Sequence, residues 1–311
     1  MTYLVTGASG SLGRALVAKL LGGGTPLRVF DRRLPQTQLA GVEYIVGDLG
    51  EPADVAKAVD GVEIVIHAGA VMKGTWPEHQ RGTVDGTRNV VDACKKYGVK
   101  QLVHISSMSV IDWAGSDHRA VNEDAQLEPQ PDKRGDYTRA KLEAERIVVA
   151  AAAQGLPCVI LRPGQIFGGG IPLINGAVAR KAAGRWLVLG DGKLELPLVY
   201  IDDVVQAIIA AIDKRLTHGE IIQIIDPEPL TQEDVLAAAG GAKPILHVPR
   251  SLVFALGKLS ELPLRAIGKQ SPIGTYRLKS ALARHRYESD RAQRLLGWRP
   301  QVGVREGIKR L

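Results

Sequence analysis

Short apolar runs alternate with amphipathic stretches over roughly the first half of the chain. Runs at residues 3–6, 27–30, 62–67 and 101–105 have the length of buried strands, and apolar residues at helical spacing follow the first of them. Strands that alternate with helices pack as a parallel sheet with helices on both faces, because each connection crosses back over the sheet. The pattern therefore predicts an α/β fold with a doubly wound parallel sheet.

A glycine-rich segment follows the first predicted strand and precedes the first predicted helix. Gly7 permits a tight turn, Gly10 lets the backbone approach a phosphate, and Gly13 lets the helix pack on the strand. Free N–H groups and a partial positive charge at a helix N-terminus suit a pyrophosphate. The segment predicts a Rossmann-type dinucleotide site built from Gly7, Ser9, Gly10, Ser11, Leu12 and Gly13.

A run of three glycines, at residues 168–170, interrupts the alternation of strands and helices. Residues 198–225 resume the pattern, whereas the chain from 226 onward is helical in period and broken by prolines. We therefore expect residues 1–167, with 198–225 returning to them, to form the dinucleotide-binding domain. Residues 168–197 and 226–311 are expected to form a smaller, mostly helical lobe that binds the substrate.

The second predicted strand ends in Asp31, which Arg32 and Arg33 follow. A carboxylate there would accept hydrogen bonds from ribose hydroxyls and repel a 2′-phosphate, whereas an arginine would bind that phosphate. We favour NAD on this charge argument and keep NADP as the alternative, and Asp31 could also be a plain turn residue. Asp48, beside Leu49 after the third strand, could bind the adenine amino group or cap the next helix.

Two further strand ends carry small or hydroxyl-bearing residues. Ala68, Gly69 and Ala70 follow the fourth predicted strand, where small side chains let the backbone pass close to a cofactor. Ser106 and Ser107 follow the fifth strand and place hydroxyls at the crevice where doubly wound sheets bind ligands. Serines at strand ends are also common turn residues.

Tyr137 and Lys141 stand four residues apart in a helix predicted over about 135–153, so their side chains share one face. A phenol titrates near about 10, and a neighbouring ammonium favours its phenolate. Tyr137 is therefore a candidate acid/base that moves the proton of a secondary alcohol while hydride leaves the same carbon. Taken alone, this spacing is common and also fits an exposed tyrosine with a solvated lysine.

Together these segments resemble an extended short-chain dehydrogenase/reductase, of the group that contains NAD-dependent epimerases, dehydratases and 3β-hydroxysteroid dehydrogenases. The matching segments occur in the family's order and are residues 6–13, 47–49, 67–70, 106–107, 137–141, 161–164 and 199–204, with 295–300 resembling the closing motif. Ser107 would then be the catalytic hydroxyl, with Ser106 as its substitute, and Tyr137 would be the acid/base. Lys141 would hold the nicotinamide ribose and lower the pKa of Tyr137.

The resemblance also bears on five other positions. The segment with Pro163 and Ile166 would pass the nicotinamide and position its carboxamide. Thr83 departs from the family, which commonly has Asn there, so a fourth catalytic member built from an amide is not expected. Residues 196–197 are Leu-Pro where nucleotide-sugar epimerases carry an Arg-Asp pair that helps bind the diphosphate, which weakens the sugar interpretation.

Composition narrows the class of protein. A chain of 311 residues can hold a nucleotide-binding domain and a smaller lobe. The two cysteines, Cys94 and Cys158, indicate no disulfide framework, and the chain begins directly in a strand. We therefore expect a cytoplasmic protein without a signal peptide. No apolar run approaches the roughly 18 residues that span a bilayer, and no metal-ligand spacing is present.

The net charge of +7 is concentrated near the C-terminus, where residues 243–311 carry 15 Lys and Arg against 4 Asp and Glu. A solvated basic face is the simplest explanation, with a phosphate or an anionic membrane as alternatives. Nucleic acid is not expected as a partner, because the basic residues are dispersed and aromatic residues are scarce, at 5% of the chain. The apolar stretch from Leu252 to Ile267 could roof a hydrophobic pocket, touch a membrane or simply pack as a helix.

These observations predict an NAD(P)-dependent oxidoreductase that interconverts a secondary alcohol and a ketone, with 3β-hydroxysteroid-dehydrogenase-like architecture. One alternative is an NAD-dependent nucleotide-sugar epimerase or dehydratase, which returns the hydride and keeps its cofactor. A second is a non-catalytic dinucleotide-sensing protein on the same fold. The expected partner is a small-molecule substrate, and a homodimer is common in the family.

Overall fold

The structure is a computed structural model that describes residues 1–35, 37–115, 117–182, 184–240, 245–266, 271 and 273–311, apart from the side chains of 262, 265 and 266. The strands are β1 (Tyr3–Thr6), β2 (Leu27–Asp31), β3 (Val42–Val46), β4 (Ile64–His67), β5 (Gln101–Ile105), β6 (Arg119–Val121), β7 (Cys158–Pro163), β8 (Gln165–Phe167), β9 (Arg180–Ala182), β10 (Arg185–Leu189), β11 (Glu195–Leu196), β12 (Leu198–Tyr200), β13 (His218–Ile224), β14 (Leu230–Thr231), β15 (Ile245–Val248) and β16 (His285–Tyr287).

The α-helices are α1 (Ser11–Gly22), α2 (Pro52–Val59), α3 (Trp76–His79), α4 (Gly86–Tyr97), α5 (Pro131–Arg134), α6 (Asp136–Ala153), α7 (Ile201–Asp213), α8 (Gln232–Ala238), α9 (Arg250–Ala266), α10 (Thr275–Ala281), α11 (Asp290–Leu296) and α12 (Gly303–Lys309). A π-helical segment, Gln80–Asp85, joins α3 to α4, and a short 3₁₀ helix, Met108–Val110, follows β5.

Seven strands form one parallel sheet in the order β13-β7-β5-β4-β1-β2-β3. The chain builds β1, β2 and β3 outward in one direction and then places β4 on the other side of β1. The carboxyl ends of β1 and β4 therefore border the switch point at which such sheets bind ligands. This topology confirms the predicted α/β, Rossmann-type doubly wound parallel sheet.

Each face of the sheet carries its own apolar cluster. On one face, Leu16 of α1 and Val205 of α7 pack with the sheet residue Val103. On the other face, Val90 of α4 and Val148 of α6 pack with the sheet residues whose side chains lie on that face. Burial of such side chains contributes roughly 1.5–3 kcal/mol each, which explains why the helical stretches alternate with the apolar runs.

The lobe beyond the sheet has a separate apolar cluster that includes Leu173, Trp186 and Leu236. Besides helices α8 to α12, this part of the structure contains strands that the sequence did not predict. Strand β10 pairs with β9 and with β15. The lobe is mostly helical, as expected, and the short strands add to it; β15 in particular pairs with a strand that is distant in the sequence.

A buried carboxylate fastens the end of the chain to the sheet domain. Asp203, in the first turn of α7, is fully buried and accepts hydrogen bonds from three consecutive backbone N–H groups, those of residues 301 to 303. Trp298 donates its indole N–H to the carbonyl of the same residue at 2.9 Å. The two motifs at 199–204 and 295–300 thus meet as one structural clasp.

Candidate active site

A cleft of about 560 Å³ opens at the carboxyl edge of the parallel sheet. Apart from Arg33, it is lined by every residue that the sequence singled out for the cofactor or the chemistry: Gly7, Ser9, Gly10, Ser11, Leu12, Gly13, Asp31, Arg32, Asp48, Leu49, Ala68, Gly69, Ala70, Ser106, Ser107, Tyr137, Lys141, Pro163 and Ile166. Its lining also includes apolar side chains, among them Val71, Met72 and Ile171. The predicted residues are therefore brought together in one place.

The glycine loop is packed too tightly for side chains at two of its three glycines. A Cβ on Gly7, whose φ is 71°, would lie 2.6 Å from the Cα of Gly69, and a Cβ on Gly13 would lie 2.3 Å from the carbonyl of Gly7. At Gly10 a Cβ would meet only that carbonyl, at 3.3 Å, so the backbone there is open. Helix α1 begins beside it without a side-chain cap, which leaves N–H groups for a pyrophosphate.

Asp31 is held in a fixed orientation at the end of β2. Its Oδ2 accepts the backbone N–H of Ser9 at 2.9 Å, and its Oδ1 accepts that of Arg32 at 2.8 Å. The carboxylate is thus tied to the glycine loop, where ribose hydroxyls of a dinucleotide would reach it. Arg32 lines the cleft, whereas Arg33 is exposed and is not among the lining residues.

The Asp48 carboxylate is hydrogen-bonded within the protein. Its Oδ1 accepts the N–H of Gly50, and Arg81 donates to its Oδ2 at 3.2 Å and to Glu51 at 2.7 Å. The alternative of a helix cap does not hold, because the residue at the N-cap of α2 is Glu51. Sequence reasoning missed Arg81, since its partners lie about 30 positions away and belong to no common motif.

Tyr137, Ser107 and Lys141 lie together in the cleft, where Lys141 is buried and the other two are half-buried. Burial raises the pKa of the Tyr137 phenol, and a hydrogen bond with the Ser107 hydroxyl lowers it in part. Lys141 donates to the carbonyl of Ile105 at 2.6 Å, and burial lowers its pKa to about 8 although Glu145 raises it. Burial is thus the largest effect on the pKa of each group.

Of the two serines after β5, Ser107 is the one whose hydroxyl reaches Tyr137. The Ser107 Oγ also accepts the N–H of Ser109 at 3.1 Å, which caps the short 3₁₀ helix. Ser106 instead donates its hydroxyl to Glu145 at 2.5 Å and is 3% exposed. The Ser106 hydroxyl is therefore engaged by Glu145, although Ser106 also lines the cleft.

Two further polar residues border this group and were not assigned by sequence reasoning. Thr83, where the family commonly has Asn, accepts the backbone N–H of Val71 at 2.9 Å. Its hydroxyl thereby holds the loop that follows β4, a structural rather than an amide-like role. His79 lies edge-on to the Tyr137 ring, with ring centroids 6.5 Å apart, and is 2% exposed.

The apolar stretch that begins at Leu252 forms helix α9. Val253 is buried and packs on α10, which agrees with ordinary helical packing. The side chains of Leu252, Leu256 and Leu259 are 50%, 51% and 65% exposed. Ile267, the end of the predicted stretch, lies outside the described residues.

Membrane-spanning helices and metal-binding clusters are both absent from the described residues. None of the helices in that part of the chain is both long and apolar enough to cross a bilayer. Nor do its His, Cys, Asp and Glu side chains form a group of three or more that could hold a metal ion.

Comparison with known proteins places the chain in a family. Residues 3–224 match the NAD dependent epimerase/dehydratase family. The chain is 31% identical to the 2-alkyl-3-oxoalkanoate reductase of Stenotrophomonas maltophilia, over 100% of this chain and 98% of that protein. It is 30% identical to the decarboxylating sterol-4-alpha-carboxylate 3-dehydrogenase of Saccharomyces cerevisiae, over 99% and 96% of the two chains.

Among solved structures, a short-chain dehydrogenase/reductase superfamily protein from Agrobacterium tumefaciens with bound NAD aligns with a TM-score of 0.77. It shares 21% identity over 100% of this chain and 95% of that one, which shows a common fold. The family match covers most of the chain, and the glycine loop and Asp31 fit NAD, the cofactor for which the family is named. The chain is an NAD-dependent oxidoreductase that belongs to the NAD-dependent epimerase/dehydratase family of extended short-chain dehydrogenases/reductases.

Proposed function

We propose that this enzyme interconverts α-branched β-hydroxy acids and β-oxo acids. One observation carries the proposal: two relatives that align over nearly the whole chain are named for substrates with the same arrangement. A 2-alkyl-3-oxoalkanoate and a sterol 4-carboxylate oxidised at position 3 each have a carboxylate on the carbon next to the reacting carbon. That neighbouring carbon is also branched in both. The apolar lining at Val71, Met72 and Ile171 suits the hydrocarbon part of such a substrate.

The chemistry that we propose uses Ser107, Tyr137 and Lys141. NAD, when bound, carries the hydride. In the direction of oxidation, Tyr137 accepts the hydroxyl proton of the substrate at its phenolic oxygen. Ser107 donates a hydrogen bond to the substrate oxygen as it becomes a carbonyl. Lys141 donates to the nicotinamide ribose, and its charge favours the phenolate that accepts the proton.

Cofactor binding is proposed to follow the cleft from the glycine loop to Ile166. The N–H groups at the start of α1 would hold the pyrophosphate, Asp31 the adenosine ribose, and Asp48 with Leu49 the adenine. The carboxylate of Asp31 disfavours a 2′-phosphate, which supports NAD over NADP. Titration with NADH and with NADPH tests this assignment: preference for NADPH would reverse it in favour of Arg32.

The substrate proposal is tested by pairing an acid with its ester. We expect a 2-alkyl-3-hydroxyalkanoate to be oxidised with a kcat/KM at least about tenfold above that of its methyl ester, since hydrogen bonds to a charged group contribute about 1.5–3 kcal/mol. A 3β-hydroxysteroid without a carboxylate is the second comparison. Equal rates on acid and ester would show that the carboxylate is not recognised and would refute the proposal.

A nucleotide-sugar epimerase is the main alternative outcome. The residues at the position of the epimerases' Arg-Asp pair are Leu196, which is buried, and Pro197, so a side-chain cation for a diphosphate is lacking there. Incubation with UDP-glucuronic acid and UDP-glucose, followed by separation of the sugar nucleotides, distinguishes the two functions. Epimerised sugar without net NADH would favour the alternative.

Organisation and location are proposed on separate grounds. We infer that residues 1–167 with 198–225 bind the nucleotide and that 168–197 with 226–311 choose the substrate. The return of 198–225 is supported by β13, which pairs with β7 in the main sheet.

A cytoplasmic location is proposed because the two cysteines, Cys94 and Cys158, are buried and unpaired. A homodimer and membrane contact through the exposed side of α9 stay predictions. Sedimentation tests the first, and vesicle flotation tests the second.

A further inference from the structure

We propose that Glu145 is a positioning residue for this site, one that keeps Lys141 charged and fixes the strand end that carries Ser107. The inference rests on the proposed function, because it concerns how the Tyr137 and Lys141 pair is held ready. It is carried by the contacts of a single buried carboxylate that joins β5, α6 and β7. Neither the sequence motif nor the roles above assign Glu145 any part.

The Glu145 carboxylate is 1% exposed and has a partner on each neighbouring element. From β7, Arg162 donates its Nη2 to Oε1 at 2.6 Å and its Nε to Oε2 at 3.0 Å, which is a bidentate pair. From the end of β5, Ser106 donates its hydroxyl to Oε2 at 2.5 Å. The carboxylate therefore holds the residue between Ile105, whose carbonyl accepts Lys141, and Ser107.

Tyr137, Lys141 and Glu145 follow one another at intervals of four along α6, so the three side chains share one face of the helix. Lys141 is 4% exposed and receives a hydrogen-bond partner but no charge from Ile105. Because an ammonium is costly to bury without a counter-charge, the carboxylate one helical turn away is what favours its protonated form. Burial lowers the pKa of Lys141 to about 8, and Glu145 is the group that raises it.

Other titratable groups face Lys141 from the neighbouring elements. His67 on β4 and His104 on β5 are buried, and burial together with the nearby ammonium lowers the pKa of each, that of His67 to about 3. Both histidines are therefore neutral near pH 7 and supply no counter-charge. On α6 itself the neighbour is Tyr137, which His79 of α3 contacts.

Arg162 is the remaining charge near this group, and it faces Glu145 from the other side. Its Nη1 donates to the carbonyl of Glu123 at 3.1 Å, so the guanidinium is fixed by three hydrogen bonds to Glu145 and Glu123. Neutralising Glu145 would leave two buried cations, on Lys141 and Arg162, around one uncharged side chain. The Lys141 ammonium would then lose its proton at lower pH.

The test measures NADH binding against pH, which needs no knowledge of the substrate. NADH affinity is expected to fall as Lys141 loses its charge, because a charge-assisted hydrogen bond to the ribose is roughly twice as strong as a neutral one. We expect the midpoint of this fall to move to lower pH by about one unit or more in Glu145→Gln. Glu145→Asp keeps the charge and is expected to retain most of the wild-type midpoint, while Lys141→Met removes the transition.

A double variant separates the charge of Glu145 from its packing. Glu145→Gln with Arg162→Met removes the uncompensated cation, so the melting temperature should recover relative to Glu145→Gln while the midpoint stays below that of the wild type. An unchanged midpoint in Glu145→Gln, or a wild-type midpoint in the double variant, would refute the positioning role. Wild-type protein that fails to bind NADH would instead refute the proposed function.

Discussion

Burial shifts the pKa values of Tyr137 and Lys141 in opposite directions. Burial raises the pKa of the phenol and lowers that of the ammonium, so it favours the neutral form of both. Ser107 and Glu145 oppose these shifts, by a hydrogen bond in one case and by charge in the other. Glu145, to which the family resemblance assigns no role, thus opposes the effect of burial on Lys141 as Ser107 does on Tyr137.

Replacement of Tyr137 by Phe removes the proposed proton acceptor and keeps the ring. We expect kcat to fall by about 10² to 10⁴, the usual contribution of a positioned acid/base. NADH affinity, measured by fluorescence titration, should change little, because the phenyl ring still fills the same space. A variant that retained full turnover would show that another group moves the proton.

Lys141 should also leave a signature in stability against pH. Its pKa is lowered from 10.5 to about 8 in the folded protein, so between these values the unfolded chain binds more protons at this group. The contribution of Lys141 to stability therefore rises with pH across that window and is constant below it. Urea unfolding of wild type and of Lys141→Met at several pH values measures the difference, and a difference independent of pH would contradict the assignment.

Among the elements of the site, the glycine loop and α1 leave the least room for added side chains. The strand before the loop, the tight turn and the helix after it are local in sequence, which is why their pattern could predict them. The proposed pyrophosphate site depends on Gly13, which lies against the carbonyl of Gly7. The other glycine of the same helix, Gly22, has no such neighbour and provides a matched comparison.

Gly13→Ala should destabilise the protein and weaken NADH binding by tenfold or more, on the order of 1.4 kcal/mol. Its Cβ would lie 2.3 Å from a backbone oxygen, so the loop has to move. Gly22→Ala, in the last turn of α1, meets nothing within 4 Å and is expected to be neutral or slightly stabilising. Equal effects of the two substitutions on NADH affinity would contradict the tight packing of the loop.

How much could be predicted from the sequence depends on the distance between partners. The sheet strands and the lining of the cleft follow from runs of neighbouring residues and were predicted. The pairing of β10 with β15 joins Trp186 to Ile245, and the ion pair of Glu145 joins a helix to a strand, so neither has a local pattern. Sequence reasoning missed these features because burial and long-range contacts create them.

For the molecule as a whole, the clasp at Asp203 connects the last two segments of the family pattern, 199–204 and 295–300. Its carboxylate accepts backbone N–H groups of Gln301, Val302 and Gly303 at 2.8 to 3.0 Å. The C-terminal segment is thereby held on α7, and α12 packs against β12 in the same region. The motif that resembles the family's closing signature thus has a structural task rather than a catalytic one.

Asp203→Asn keeps the shape of the side chain and places an amide where a carboxylate accepts three N–H groups. We expect a loss of about 2–3 kcal/mol in the free energy of unfolding, because a buried donor is left without its acceptor. Asp202→Asn is the control, since Asp202 is adjacent in sequence but exposed. Thermal unfolding of both variants measures the effect, and equal losses would disprove the clasp.

Net oxidation of an α-branched β-hydroxy acid by NAD can be tested by the stoichiometry of the reaction. Purified protein is incubated with excess NAD⁺ and a limiting 2-alkyl-3-hydroxyalkanoate, while NADH absorbance and remaining substrate are both followed. We predict one NADH for each hydroxy acid consumed, and no NADH from UDP-glucuronic acid. Conversion of the sugar nucleotide without net NADH, with the hydroxy acid untouched, would contradict the account.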